Sequence, residues 1–403
     1  MHVLDFEIFK NENTKKVNIM KKRILTMFWY DDAGEVHLYK DVGGIPYALS
    51  KYCGWQATFA YNDANGVIHN ADYEKYVKLD RIRFSKILER LKLRYIKYFQ
   101  VIKYVYFNAP NYDAINFYHC HKFINFLCWL AKKRNPKIIT YVKLDMGKAG
   151  FEKELERQKC CGGVKAWRNA DLFTVETKKY IATLNSLNKF NNKVKYLPNG
   201  FFSDLVNIDL SSIKKEKIIL TVGRLGTHQK NTELLIEALI NIEDSLADWK
   251  IYLVGPMPDS FKIWLNKKLI NHQFLKEKIV ITGNITDKAE LYKIYAKSSV
   301  FILPSRYEGF PLVIQEAMHF SCYPIVTNCF PAVDEVIYTG ESGFGQIVNI
   351  KENDLSNALK NINDLDYLHK GKIAAKFVNE NFDWKILAEK LDNYFNTLIQ
   401  NRG

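Results

Sequence analysis

The stretch PSRYEGFPLVIQEAM (304–318) carries two carboxylates, Glu308 and Glu316, around the turn Gly309-Phe310-Pro311. A proline near the first helical position is pre-set for a helix start. Such a start leaves backbone N–H groups of Leu312 and its neighbours without internal partners and aims the positive end of the dipole outward, which binds phosphate. Glu308 then precedes the helix and Glu316 lies more than a turn inside it, so the two can reach different hydroxyls. Upstream, GRLGTHQKN (223–231) supplies Arg224 and Lys230, cations able to clamp a diphosphate and to stabilise charge building up on a departing phosphate. Gly283-Asn284-Ile285 offers backbone that could read the edge of a nucleotide base. The plain alternatives are dipole-favoured carboxylates at a helix start and ordinary surface charge.

All three segments follow strand-like runs. In the second half, short β-branched runs alternate with helical patterns: KIILTV (217–222), KIYLV (250–254), KIVIT (278–282), SVFIL (299–303) and YPIVT (323–327). That alternation predicts a doubly wound parallel sheet, whose ligands sit outside the carboxyl ends of the strands. In the first half, 24–30, 56–61, 101–107, 137–142 and 171–176 read as strands of a second sheet of the same kind. A turn-rich LPNGF followed by a polar stretch marks a boundary near 197–212. Leu387, Leu391, Tyr394, Phe395 and Leu398 form a final helical stripe that needs an apolar surface to cover. Residues 1–22 read as an N-terminal extension.

The 403 residues suit two domains of roughly 200 residues each. A net charge of +14 argues for an anionic partner: nucleic acid, a phosphate-bearing small molecule or an acidic membrane surface. Residues 75–103 interleave lysines and arginines with Tyr76, Phe84, Leu88, Tyr95 and Phe99, the pattern of an interfacial amphipathic segment or of a solvated basic helix face. No apolar run approaches the roughly 20 residues that span a bilayer, so membrane contact would be peripheral. Seven cysteines, an odd number with no CxxC, predict a reducing, cytoplasmic setting. His119, Cys120, His121 and Cys128 match no common zinc spacing and read as packing residues.

The series VGRL…K, GNI and S-x-x-EGFPLVIQEA resembles the retaining glycosyltransferases of family 4, most strongly over 217–337. The resemblance implies an α/β GT-B architecture of two Rossmann-like domains facing each other across a cleft. Residues 1–200 would bind the acceptor, 201–384 the nucleotide-sugar, and 385–403 would be a helix packing back on the first domain. Arg224 and Lys230 would bind the donor diphosphate, Glu308 the sugar and Glu316 the ribose, with Gly309, Phe310, Pro311 and Leu312 around phosphate and sugar. Gly43 and Gly44 look like the family's glycine-rich first loop, open to close approach by phosphate or acceptor. The family often places a histidine after an N-terminal strand, near the reacting carbon; Asp145, with Lys143, stands there in TYVKLDMG, and His119 and His121 are the alternatives. Asn231 where glycine is common, and NCFPAVDE at 328–335, depart from the pattern, although Glu335 matches.

The expected activity is transfer of a sugar from a UDP- or GDP-sugar to a hydroxyl of a glycan or lipid-linked acceptor in bacterial surface polysaccharide synthesis, at the inner face of the plasma membrane. The resemblance implies retention, no cofactor and no metal, and no nucleic acid partner. The alternatives are an epimerase or phosphorylase of the same architecture, or a basic nucleic-acid-binding protein.

Overall fold

The computed structural model describes residues 21–29, 33–63, 66–83, 94–119, 121–160, 167–205, 208–209, 212–339, 343–363 and 365–402. Most of the expected N-terminal extension, Cys120, and Phe84 to Lys92 of the basic segment lie outside them.

Two parallel sheets organise the chain. The first holds β1 (Arg23–Phe28), β2 (Gln56–Asn62), β3 (Val77–Ile82), β4 (Ala114–Tyr118), β5 (Ile139–Leu144), β6 (Leu172–Val175) and β7 (Val194–Tyr196), in the order β3-β2-β1-β4-β5-β6-β7. The second holds β8 (Glu216–Val222), β9 (Lys250–Val254), β10 (Ile279–Gly283), β11 (Ser298–Leu303), β12 (Tyr323–Thr327) and β13 (Gln346–Val348), in the order β10-β9-β8-β11-β12-β13. Every pairing in both is parallel. Helices cover both faces, which is why the strands read as continuous apolar runs and not as alternating ones. The longer helices used below are α1 (Asp41–Cys53), α2 (Arg94–Asn108), α3 (Lys122–Arg134), α4 (Lys148–Cys160), α5 (Thr232–Ile240), α6 (Lys288–Lys297), α7 (Leu312–His319), α8 (Tyr367–Phe382) and α9 (Trp384–Gln400).

Two expectations for the first half are corrected. The run 101–107 is helical, inside α2: Val101, Ile102, Val105 and Ala109 meet the core at three- and four-residue spacing, while Phe99 and Phe107 face outward. Its β-branched composition suggested a strand, but period decides over propensity. The segment 75–103 is not one amphipathic helix either, because 77–82 pair with β2 as an edge strand. Four strands that composition hid, β3, β4, β7 and β13, complete the sheets.

The chain passes between the domains twice, side by side. Phe201 N–H donates to Phe382 O (3.1 Å) and Trp384 N–H donates to Phe201 O (2.9 Å). Gly200 is needed there, since a Cβ would come within 2.7 Å of Leu387 and 2.8 Å of the Phe382 carbonyl. α9 then lies on the first domain, where Trp384, Leu387, Leu391 and Phe395 share one buried cluster with Leu49, Trp55 and Tyr141. Each such side chain contributes about 1.5–3 kcal/mol by burial. Trp55 Nε1 and the Lys22 ammonium both bond Asp392, each at 2.7 Å.

Candidate functional site

The carboxyl edge of the second sheet is built on glycine. Gly223, Gly255 and Gly283, at the ends of the adjacent strands β8, β9 and β10, have φ of 157°, 135° and 73°. They are stitched by Gly223 N–H to Val254 O and Gly255 N–H to Gly283 O, both 2.9 Å. A Cβ on Gly255 would sit 1.9 Å from the Gly223 carbonyl oxygen, so no other residue fits. The stem of Lys230 lies along Gly223, with its Cε 3.1 Å from where a Cβ would be. Its ammonium reaches Glu308 Oε1 at 2.7 Å, an oxygen that also accepts from Ser305 Oγ at 2.7 Å, while Gln229 Nε2 donates to Oε2 at 3.1 Å. Arg224 is exposed and steered by a 2.8 Å bond from Nη2 to Gln229 Oε1. Asn231 has a φ of 50° and donates from Nδ2 to Pro304 O at 3.1 Å. Asparagine tolerates the left-handed region, and its side chain ties the 223–231 loop to the 304–309 loop.

Pro311 is the N-cap of α7, with no side chain capping the helix. Phe310 anchors the turn against Phe330 and Phe382, leaving Gly309 exposed. Glu316, inside α7, turns toward α6: its Oε1 pairs with the Lys288 ammonium at 2.6 Å, and Tyr295 OH donates to Oε2 at 3.4 Å. Lys288 begins three residues after Ile285. The exposed Asn284 and the 283–285 turn therefore adjoin Glu316 through that lysine, while Glu308 sits with Lys230.

From the first domain, Asp145 follows β5 and is exposed. Its Oδ1 lies 3.8 Å from where a Cβ on Gly309 would be, so it faces the Gly309 turn across the cleft. Lys143 is buried instead, its ammonium 2.5 Å from Glu176 Oε1 and 3.1 Å from Leu197 O. Burial, opposed by Lys143 and reinforced by Asp145, pushes the Glu176 carboxyl up to about 7. Tyr118, at the end of β4, bonds Asp145 Oδ2 at 3.2 Å and also Asp41. His121 caps α3 through the Phe123 N–H (3.3 Å), and the His119 ring packs at a tilt against Tyr118. Among the described residues, no group of three or more His, Cys, Asp or Glu could hold a metal ion.

Gly43 and Gly44 are not in a loop. Both are buried inside α1, where a Cβ on Gly43 would meet the His37 carbonyl at 2.4 Å and one on Gly44 the Trp384 indole at 3.1 Å. They pack closely, Gly43 against the His37 and Leu38 backbone and Gly44 against Trp384.

An open cavity of about 810 Å³ separates the domains, walled by Gly147, Lys148 and Tyr180 on one side and by Glu308, Gly309 and Phe330 on the other. The domains also touch directly: Glu335 accepts from Thr177 Oγ1 and from Lys178 N–H (2.9 and 3.1 Å), and Lys179 pairs with Asp334 at 2.6 Å. Sequence reasoning missed Gln229, Ser305 and Lys288, which hold the named acids, and Tyr118 and Asp41. Gly255 had a signal, as the glycine closing KIYLV; Tyr118 was hidden with its strand.

Residues 207–382 match the family described as Glycosyl transferases group 1. This part of the chain is similar to that family. Two curated relatives are the amylovoran biosynthesis glycosyltransferase AmsD of Erwinia amylovora, 27% identical over 190 residues, and the N-acetylgalactosamine-N,N'-diacetylbacillosaminyl-diphospho-undecaprenol 4-alpha-N-acetylgalactosaminyltransferase of Campylobacter jejuni, 31% identical over 186. The alignments cover 47% and 45% of this chain and only 50% and 48% of those relatives. Anabaena Alr3699/HepE, solved in complex with UDP, superposes over 93% of this chain and 100% of its own, with a TM-score of 0.66 at 15% identity. The two facing parallel-sheet domains are the GT-B architecture.

Proposed function

We propose that the chain is a retaining glycosyltransferase of family 4 type that moves a sugar from a UDP- or GDP-sugar to a hydroxyl of a glycan or lipid-linked acceptor in bacterial surface polysaccharide synthesis. The observation that carries this reading is the Lys230–Glu308 pair, set on the glycine edge beside Arg224 and opposite Asp145. Lys230, Arg224 and the start of α7 hold the diphosphate, so that cations of the chain and not a metal ion offset its charge. Glu308 takes the sugar, and Glu316 with the 283–285 turn takes the nucleoside. In a front-side displacement the bond from the anomeric carbon to the phosphate oxygen breaks as the acceptor oxygen bonds the same face. The acceptor proton goes to the departing phosphate, and Asp145 stabilises positive charge on the sugar. The names of the AmsD and Campylobacter relatives support the polysaccharide and lipid-linked sides, and the HepE complex supports UDP.

The basic, aromatic face of α2 and α3 is proposed to rest on an anionic membrane. Phe99, Tyr106, Phe107, Phe126 and Trp129 are each at least 40% exposed there, and Arg134 lies 4.1 Å over the Tyr106 ring. No helix among the described residues is long and apolar enough to cross a membrane, so contact would be peripheral.

The test is incubation with UDP- and GDP-sugars, with and without a lipid-linked acceptor. Transfer with retained anomeric configuration is expected. Sugar release as a phosphate ester or epimer, without transfer, would favour the phosphorylase or epimerase reading. Salt-dependent binding to random DNA without turnover would favour nucleic acid binding.

A further inference from the structure

Tyr118 bonds two carboxyl groups through one hydroxyl, Asp41 Oδ2 from α1 and Asp145 Oδ2 from the loop after β5. A hydroxyl has a single proton, so it can donate to only one of them; the other must bring its own proton to the phenol oxygen. Asp41 is buried under the sheet edge, whereas Asp145 is exposed in the cleft. Burial penalises the charged form, so the proton belongs on Asp41.

We propose that Asp41 and Tyr118 are positioning residues: Asp41 donates to Tyr118, Tyr118 donates to Asp145, and the chain of bonds fixes the Asp145 carboxylate with its free oxygen toward Gly309. The pair of acids then carries one negative charge, placed where a transferred sugar would become positive. Ionising Asp41 would remove its donation, set a second charge beside the first and push Asp145 off its position.

The surroundings pull both ways, with burial the largest influence. Burial, then the charge of Asp145, raises the Asp41 carboxyl, against Lys143, the Tyr118 bond and the Val42 amide. Besides these, Tyr118 feels Glu176 from the end of β6 and carries the His119 ring at 4.2 Å. Lys143 is turned to Glu176, leaving Tyr118 as the hydrogen-bond partner joining the two aspartates.

The proposal rests on the glycosyltransferase reading for its activity readout, so two measurements are needed. In the first, transfer rate is followed against pH. Wild type is expected to lose turnover above the ordinary carboxylate range. Asp41→Asn keeps a donor to Tyr118 that cannot ionise and should abolish that fall. Tyr118→Phe should lower kcat about tenfold or more with donor KM kept, the scale of a lost positioning contact. The second measurement uses no substrate. A carboxyl raised by folding binds more protons folded than unfolded, so its contribution to stability declines as pH rises through that window. Asp41→Asn should flatten the dependence of Tm on pH, and Glu176→Gln should remove only a separate part of it. A fall in rate that survives Asp41→Asn but disappears in Glu176→Gln would overturn the relay, as would a Tm slope unchanged by Asp41→Asn. Absence of transfer from every nucleotide-sugar, with the slope flattened, would instead remove the glycosyltransferase reading and leave the relay standing.

Discussion

The two edges that face each other across the cleft solve opposite electrostatic problems. On the second sheet each buried acid has its own lysine, Glu308 with Lys230 and Glu316 with Lys288. Arg224 is left exposed beside them. On the first sheet, Asp41 and Asp145 share a tyrosine, and the nearby Lys143 is committed to Glu176. The first arrangement holds cations ready for an anion without leaving charges unmatched in the meantime. The second concentrates negative character. On the proposed glycosyltransferase reading, the edges would be complementary to the two ends of one breaking bond, phosphate on one side and a sugar cation on the other.

Three substitutions would break or sharpen that contrast. Lys230→Ala removes the cation and strands Glu308; turnover should fall by about a hundredfold to a thousandfold, the range for lost transition-state electrostatics, with weaker UDP binding by calorimetry. A near-normal rate would refute the diphosphate role. Asp145→Asn keeps shape and hydrogen bonding but removes the charge, so kcat should drop by roughly tenfold to a hundredfold while UDP affinity stays at the wild-type value. A matching loss of UDP affinity would mean that the two edges are not functionally distinct. Glu335→Gln weakens the bond to Thr177 and Lys178 that holds the edges in register. It should cost about 1 kcal/mol, read as a roughly fivefold rise in acceptor KM, with the donor KM unmoved.

The same contrast explains what could be read from the residues alone. Arg224, Lys230, Glu308 and Glu316 stand in two short stretches after strands whose β-branched runs are unambiguous, so both the second sheet and the positions of these residues relative to it were legible. The edge of the first sheet is assembled from α1, β4, β5 and β6, more than 130 residues from first to last, and no stretch contains the pattern. Tyr118 closes AINFY, a strand too short and mixed to stand out, and Asp41 precedes two glycines that resembled a binding loop. Those glycines face the Leu38 backbone and Trp384, a contact between residues about 340 apart that local spacing cannot express. The run 101–107 misled for a related reason: its residue types favour a strand, and only the core it packs against selects the helix.

The seating of Trp384, Leu387, Leu391 and Phe395 in the first domain has a consequence for the order of assembly. During synthesis, N-terminal domains ordinarily complete first. Here the domain begun first lacks a side of its core until residues 384–395 have left the ribosome. Meanwhile the second domain, whose sheet spans 216–348, already has its strands in hand. Until then Leu49, Trp55 and Tyr141 lack the cover of α9, and because the second core likewise needs Ala374, Val378 and Phe382, the two domains should complete their cores nearly together, at the end of synthesis.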